Sequence, residues 1–206
     1  MKYNPDIHHR QSIRLKGYDY SEMGAYFITI CVQNHICLLG NIEDGEMALN
    51  DAGRLVEKWL CKIEQKFKDV FLDVCVIMPN HIHCIVVLGN FVGADPRVCP
   101  YSNNDPDFMD KQFNKLRATN PKQGEHMGSP LQKIVQWLKT MTTNEYINNV
   151  KHNNWPPFNK KLWQRNYYEH IIRNRNELIQ IRDYIIDNPS QWDNDEENPD
   201  NISEIS

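Results

Sequence analysis

The chain has 206 residues, 40% of them hydrophobic, which suits one domain with a buried core and excludes wholesale disorder. Its formal net charge of −4 argues at face value against a nucleic-acid partner, because phosphate binding leaves a basic footprint. No stretch approaches the roughly 18 consecutive apolar residues of a membrane span, and Met1–Arg14 lacks the apolar heart of a signal peptide, so a cytoplasmic protein with no membrane partner is expected.

In chain order, Tyr26–Val32 is a β-branched and aromatic run that predicts a buried strand. Asn50 or Asp51 caps a helix whose apolar residues Leu55, Val56, Trp59, Leu60, Ile63 and Phe67 recur at helical spacing. Val70–Met78 and His81–Leu88 are short apolar runs separated by Pro79-Asn80, which predicts an antiparallel hairpin. Residues 89–128 carry four Gly, four Pro and little periodicity, and read as an inserted loop. Ser129-Pro130-x-Gln132 opens a second helix that Leu131, Ile134, Val135, Leu138 and Met141 continue. Lys160–Ile172 is aromatic-rich and predicts a strand that includes Tyr167 and Tyr168. Asn174-x-x-Glu177 opens a last helix, stopped near Asn188 by Pro189. The order β-α-β-β-α-β-α fits an α+β fold: a ferredoxin-like antiparallel sheet with helices packed on one face.

The acidity is local. Gln191–Ser206 carries six acidic residues and no Lys or Arg, which leaves residues 1–190 with 23 basic against 21 acidic groups. The expectation is a single catalytic domain over 1–190, interrupted at about 89–128, followed by a disordered acidic tail over 191–206 that catalysis does not need. Residues 131–190 carry nine basic against five acidic groups, with Trp155, Trp163, Tyr167 and Tyr168 interleaved. Such a pattern suits a surface that tracks phosphates and stacks bases, and it also suits a solvated helix face over core aromatics. The six cysteines form no C-x-x-C pair and read as reduced thiols.

Two motifs could carry chemistry. In His81-Ile82-His83 the two imidazoles project from one face of a strand, as ligands of a divalent metal or as an exposed pair on a half-solvated sheet. In the last helix Tyr184 and Asn188 stand four apart and share a face, as a functional pair or as a core-edge tyrosine and an ordinary helix terminator before proline. A phenol is a poor nucleophile at its ordinary pKa of about 10, but it attacks a phosphodiester when a cation neutralises the phosphate oxygens. Taken together, the His pair, the tyrosine helix and the basic stretch suggest a metal-assisted nuclease with a tyrosine nucleophile.

The strand Tyr26–Val32, the run Val76–Val86, the segment Trp163–Arg173 and the ending Tyr184–Pro189 resemble the HUH single-tyrosine transposases, and among them the REP-associated tyrosine transposase branch. The resemblance spans roughly Gln11 to Trp192. It implies that His81 and His83 bind Mg²⁺ or Mn²⁺, that Asn188 completes the metal site, and that Tyr184 forms a 5′-phosphotyrosine intermediate. It also implies single-stranded DNA hairpins as substrate and, since family members are often dimers, a homodimer. Arg14, Lys16, Arg165, His170 and Arg173 are candidates for DNA contact, and Tyr167 and Tyr168 are competing nucleophiles. A rolling-circle-type replication initiator, a DNA-hairpin-binding regulator without turnover, and a small structural metal protein remain open alternatives.

Overall fold

The computed structural model describes residues 24–89 and 130–202. Four strands, β1 (Gly24–Cys31), β4 (Val70–Ile77), β5 (His81–Leu88) and β6 (Tyr168–Ile172), form one sheet in the order β4-β5-β1-β6, antiparallel throughout. That is the ferredoxin-like order. The tight turn at Pro79-Asn80 makes β4 and β5 neighbours, and β1 then slots between β5 and β6. A two-stranded ribbon, β2 (Gly40–Glu43) and β3 (Glu46–Leu49), stands apart from the sheet. Its turn is Asp44-Gly45, both at positive φ (53° and 79°), the conformation a two-residue hairpin demands.

Helix α1 (Asp51–Leu60) starts where the Asn50 side chain accepts a hydrogen bond from Gly53 N. Gly53 sits so close to the Leu39 carbonyl that a Cβ there would lie 2.2 Å from its oxygen, so only glycine lets this helix dock. A short turn, α2 (Ile63–Lys66), leads to β4. Helix α3 (Pro130–His152) presents Leu131, Ile134, Val135 and Leu138 to the sheet. Trp163 Nε1 donates to Thr142 Oγ1 at 2.8 Å, which ties the segment before β6 to this helix.

Alternate residues of a strand face opposite ways, and the core accordingly divides in two. Tyr26, Ile28 and Ile30 pack with Ile82, Cys84 and Val86 under α1 and α3. Ala25, Ile85, Val87 and Ile172 pack on the other side with Leu178 and Ile185 of α4 (Arg175–Asp187). The helices are therefore not confined to one face: α1 and α3 share one, and α4 occupies the other. The register of β4 against β5 shifts between Leu72 and Cys75. An extra residue in one strand turns two consecutive side chains to the same side, which fits Asp73 and Val74 both meeting α4. Asp73 takes two hydrogen bonds from Arg182, Nε at 2.6 Å and Nη2 at 2.9 Å, in a largely buried pair that holds α4 on the sheet.

Two further expectations are corrected. Cys75 and Cys84, directly opposed across β4 and β5, are joined in a disulfide, and Cys61 is disulfide-bonded as well, so these thiols are not all reduced. Residues 191–202 are not a solvated tail. A 3₁₀ helix (Asn188–Asn194) and α5 (Pro199–Ile202) are held by their own polar side chains. Asn198 Nδ2 donates to Trp192 O, Asn201 Nδ2 to Asp193 O and Asp195 O, and Asn198 Oδ1 accepts from Asp200 N. Local side-chain to backbone bonds of this kind order a segment poor in apolar residues. Among the described residues no helix is long and apolar enough to cross a membrane.

Because removing one partner of a buried ion pair strands the other charge, Asp73→Ala is expected to cost about 3 kcal/mol in urea unfolding. A loss under about 1 kcal/mol would show that apolar packing alone seats α4.

Candidate active site

His81 and His83 open β5 and are both buried, at 0% and 2% exposure, which excludes an exposed pair on a half-solvated face. Buried imidazoles need partners, and each Nδ1 has one. Asn80 Nδ2 donates to two carbonyls, His35 O at 3.0 Å and Glu197 O at 2.7 Å. Its amide orientation is thereby set, and Oδ1 faces His81 Nδ1 at 2.8 Å. An amide oxygen only accepts, so the network assigns the proton to His81 Nδ1 and leaves a lone pair on Nε2. His83 Nδ1 lies 2.9 Å from Thr29 Oγ1, directly opposite on β1. A hydroxyl donates or accepts, so His83 has both neutral tautomers open to it. With its proton on Nε2 it donates to His81 Nε2 across their 2.9 Å separation; with the proton on Nδ1 both Nε2 lone pairs point into the same space.

Asp195 enters that space from the C-terminal segment. Its Oδ1 accepts from Glu197 N at 2.6 Å, and its Oδ2 is buried, lacks a hydrogen-bond partner and lies 3.9 Å from His81 Nε2. One donor atom from each of His81, His83 and Asp195 falls within 4.8 Å of the others. Asn188, 2% exposed, stands beside His81 and Tyr184, and its Oδ1 also lacks a partner. With the His83 proton on Nδ1, two imidazole lone pairs and the unpartnered Asp195 Oδ2 share one buried space, and that donor set fits a divalent cation. Trp192 covers the group, its ring centroid 6.2 Å from that of His81.

Tyr184 reaches the same place from α4. Asn174 caps that helix by accepting from Glu177 N, and Leu178 and Ile185 bury its inner stripe. Tyr184 is left at the edge, half exposed, with its Oη 3.3 Å from His83 Nε2. Phe27 stands between Tyr184 and Tyr168, with ring centroids 6.0 and 6.1 Å away in edge-on geometry. Burial, followed by the negative charge of Asp195, pushes the Tyr184 phenol up to about 12. Burial pushes His81 down to about 3, and His83 falls well below the ordinary imidazole value for the same reason, so both rings are neutral at physiological pH.

The other candidates lie elsewhere. Tyr168 is exposed on β6, whereas Tyr167 precedes that strand and lies under Lys139, with Nζ 5.7 Å from its ring centroid. His170 pairs with Glu177 at 2.7 Å, and the Arg173 backbone N–H donates to the same carboxylate, so both are engaged in starting α4. Arg165 is exposed beside α3. Arg14 and Lys16 fall outside the described residues, as does most of the 89–128 loop. Asn80, Thr29 and Asp195 were not singled out from sequence. Asn80 read as a turn former, Thr29 as one residue of a buried strand, and Asp195 as one acid among six.

No protein-family model matches the chain. A protein of Haemophilus influenzae (strain ATCC 51907 / DSM 11121 / KW20 / Rd), carrying the name "Uncharacterized protein", is 39% identical over 201 residues, covering 95% of this chain and 96% of its own. The structure of a REP-associated tyrosine transposase bound to a REP hairpin superposes with a TM-score of 0.50 at 18% identity, covering 87% of this chain and 74% of that one. The chain thus has the fold of a REP-associated tyrosine transposase, as the motif resemblance implied.

Asn80→Ala removes the acceptor that sets the His81 tautomer, so calorimetric titration with Mn²⁺ is expected to show affinity reduced about 10- to 100-fold. In chelator, the folded chain resists protonation of His81 and His83 while the unfolded chain accepts protons near pH 6.5. Stability from this source is complete above pH 6.5 and falls as pH drops from there toward about 3, the folded value of His81. Urea midpoints across that range, compared with those of His81→Gln, measure the effect; a flat profile would contradict it.

Proposed function

The chain belongs to the family that includes the Haemophilus influenzae protein, and from that premise we propose a metal-assisted nuclease and strand transferase that opens and rejoins single-stranded DNA at hairpins through Tyr184. The observation that carries the reading is the approach of Tyr184 Oη to 3.3 Å from His83 Nε2, beside the buried His81–His83–Asp195 cluster. The fold shared with a transposase bound to a REP hairpin supports the same substrate class.

The residues divide the work. His81, His83 and Asp195, with Asn188 alongside, would hold Mg²⁺ or Mn²⁺, which when bound neutralises the phosphate oxygens and offsets the negative field that raises the phenol. Tyr184 loses its proton to water at the exposed side of its ring, and the phenolate oxygen forms a bond to phosphorus. The bond from phosphorus to the 3′-oxygen breaks, and that oxygen takes a proton from water to become a free 3′-OH. The 5′-phosphotyrosine conserves the bond energy, so attack by a 3′-OH rejoins DNA and releases the phenol. Asn80 and Thr29 position the two imidazoles throughout. Seating by Leu178, Ile185 and the Arg182–Asp73 pair keeps Tyr184 in reach.

A 5′-labelled and a 3′-labelled hairpin oligonucleotide incubated with Mn²⁺ test this directly on a denaturing gel. The native chain is expected to form a covalent adduct, and Tyr184→Phe to reduce it by at least about 10³-fold. An undiminished adduct with Tyr184→Phe would move the nucleophile to Tyr168. DNA retardation with no adduct at all would favour a regulator on the same fold.

A further inference from the structure

On the face of the molecule away from α4, α3 and the segment 158–167 enclose a groove of about 730 Å³. Its two walls differ in chemistry. The segment contributes the exposed cations Lys160, Lys161 and Arg165. Among the described residues none of these three is in an ion pair, and no Asp or Glu lines the groove. The wall formed by α3 carries one cation, Lys139, and is otherwise largely neutral and polar: Gln132, Gln136, Thr140 and Asn144 follow one another four residues apart and therefore share one face. The nearby acid of that helix, Glu145, is turned toward α1, where it accepts from Lys58 Nζ and Trp59 Nε1 at 2.6 Å each. The floor is apolar, with the buried side chains of Val135, Leu162 and Trp163, and Ile147 and Phe158 add apolar surface to the lining.

Lys139 joins the walls. It lies at the groove and donates to the carbonyls of Gln164 and Asn166, at 3.0 and 2.9 Å, and burial pushes its pKa down to about 8. It holds the cationic segment against α3. The interior of that segment pairs with β1 near the histidines: Gln164 N donates to Cys31 O, and Cys31 is the β1 partner of His81. Its C-terminal end runs through Tyr167 into Tyr168 on the edge strand, beside Phe27 and hence Tyr184. A cationic wall facing a row of amides and hydroxyls above an apolar floor matches a strand with one phosphate edge and one edge of hydrogen-bonding bases.

We propose that this groove receives the single-stranded DNA that flanks the hairpin, with its phosphates on Lys160, Lys161 and Arg165 and its bases toward α3. The proposal rests on the nuclease reading and gives it a path for the strand around the sheet edge to Tyr184.

The test compares the native chain, Lys160→Ala/Lys161→Ala/Arg165→Ala, and a control, Lys66→Ala/Lys68→Ala/Lys151→Ala, whose exposed lysines lie off the groove. Fluorescence anisotropy follows binding to a hairpin with a single-stranded extension and to the same hairpin with blunt ends, over a salt series. The groove variant is expected to lose tenfold or more in affinity for the extended hairpin at low salt. Its slope of log affinity against log salt should flatten by about 2, from roughly 0.7 per lost phosphate contact. Lys160→Arg/Lys161→Arg/Arg165→Lys is expected to restore binding, which separates charge from folding. Groove and control variants that bind alike would overturn the proposal, and so would an equal loss on the blunt hairpin. If the native chain forms the Tyr184 adduct while the groove variant binds normally, the groove assignment alone fails; if the native chain binds neither DNA, the nuclease reading fails with it.

Discussion

Two imidazoles are buried side by side at the mouth of a β-sheet, and much of the site's architecture follows from the need to satisfy them. Neither ring carries charge there, because desolvation keeps both neutral. Each must therefore place its single proton on an acceptor and aim its lone pair somewhere useful. Asn80 answers for His81 and Thr29 for His83. Asn80 does this while bonding to the backbone of His35 and of Glu197, so one carboxamide sets a histidine tautomer and ties two chain segments to it. The C-terminal segment is thereby brought to where Asp195 can face the histidines.

The pieces around this pair are matched to it in rigidity. The sheet fixes the spacing of His81 and His83, and α4 fixes Tyr184, with the Arg182–Asp73 pair and the Leu178 and Ile185 contacts between them. The bulge in β4 is what lets Asp73 meet Arg182 without displacing the apolar contact of Val74. In the proposed reaction the nucleophile would stand on a helix and the ligands on a strand, a reach defined by two stiff elements that suits chemistry needing in-line geometry. Burial, and after it the negative charge of Asp195, disfavours ionisation of Tyr184 and keeps the phenol protonated there.

Much of this was legible in the residues. The buried run at Tyr26–Val32 and the Pro79-Asn80 turn have local causes and recur in the fold, whereas the one helix expected to run on to Phe67 is broken at Cys61-Lys62 into α1 and α2. The Asp44-Gly45 hairpin was missed, although Asp-Gly is a strong two-residue turn signal, because its flanking strands are short. His81 and His83 share a strand face and Tyr184 and Asn188 a helix face by spacing, but the resemblance of the motifs together is what singled them out. Asp195 was not singled out. It belongs to a stretch whose composition reads as solvated, and what brings it in is the hydrogen bond from Asn80 to the Glu197 carbonyl, with Trp192 resting near His81, neither of which has a periodic signature. The division of helices between two faces was hidden for a related reason: the strands are apolar on both sides, and the alternation that would assign a face is absent.

The central claim is that His81, His83 and Asp195 form one metal centre beside the nucleophile. Crystals soaked in Mn²⁺ and measured at the manganese absorption edge test it most directly. The account predicts an anomalous peak about 2.0–2.3 Å from His81 Nε2, His83 Nε2 and an oxygen of Asp195. A peak elsewhere, or ordered protein with no peak between the histidines, would contradict it.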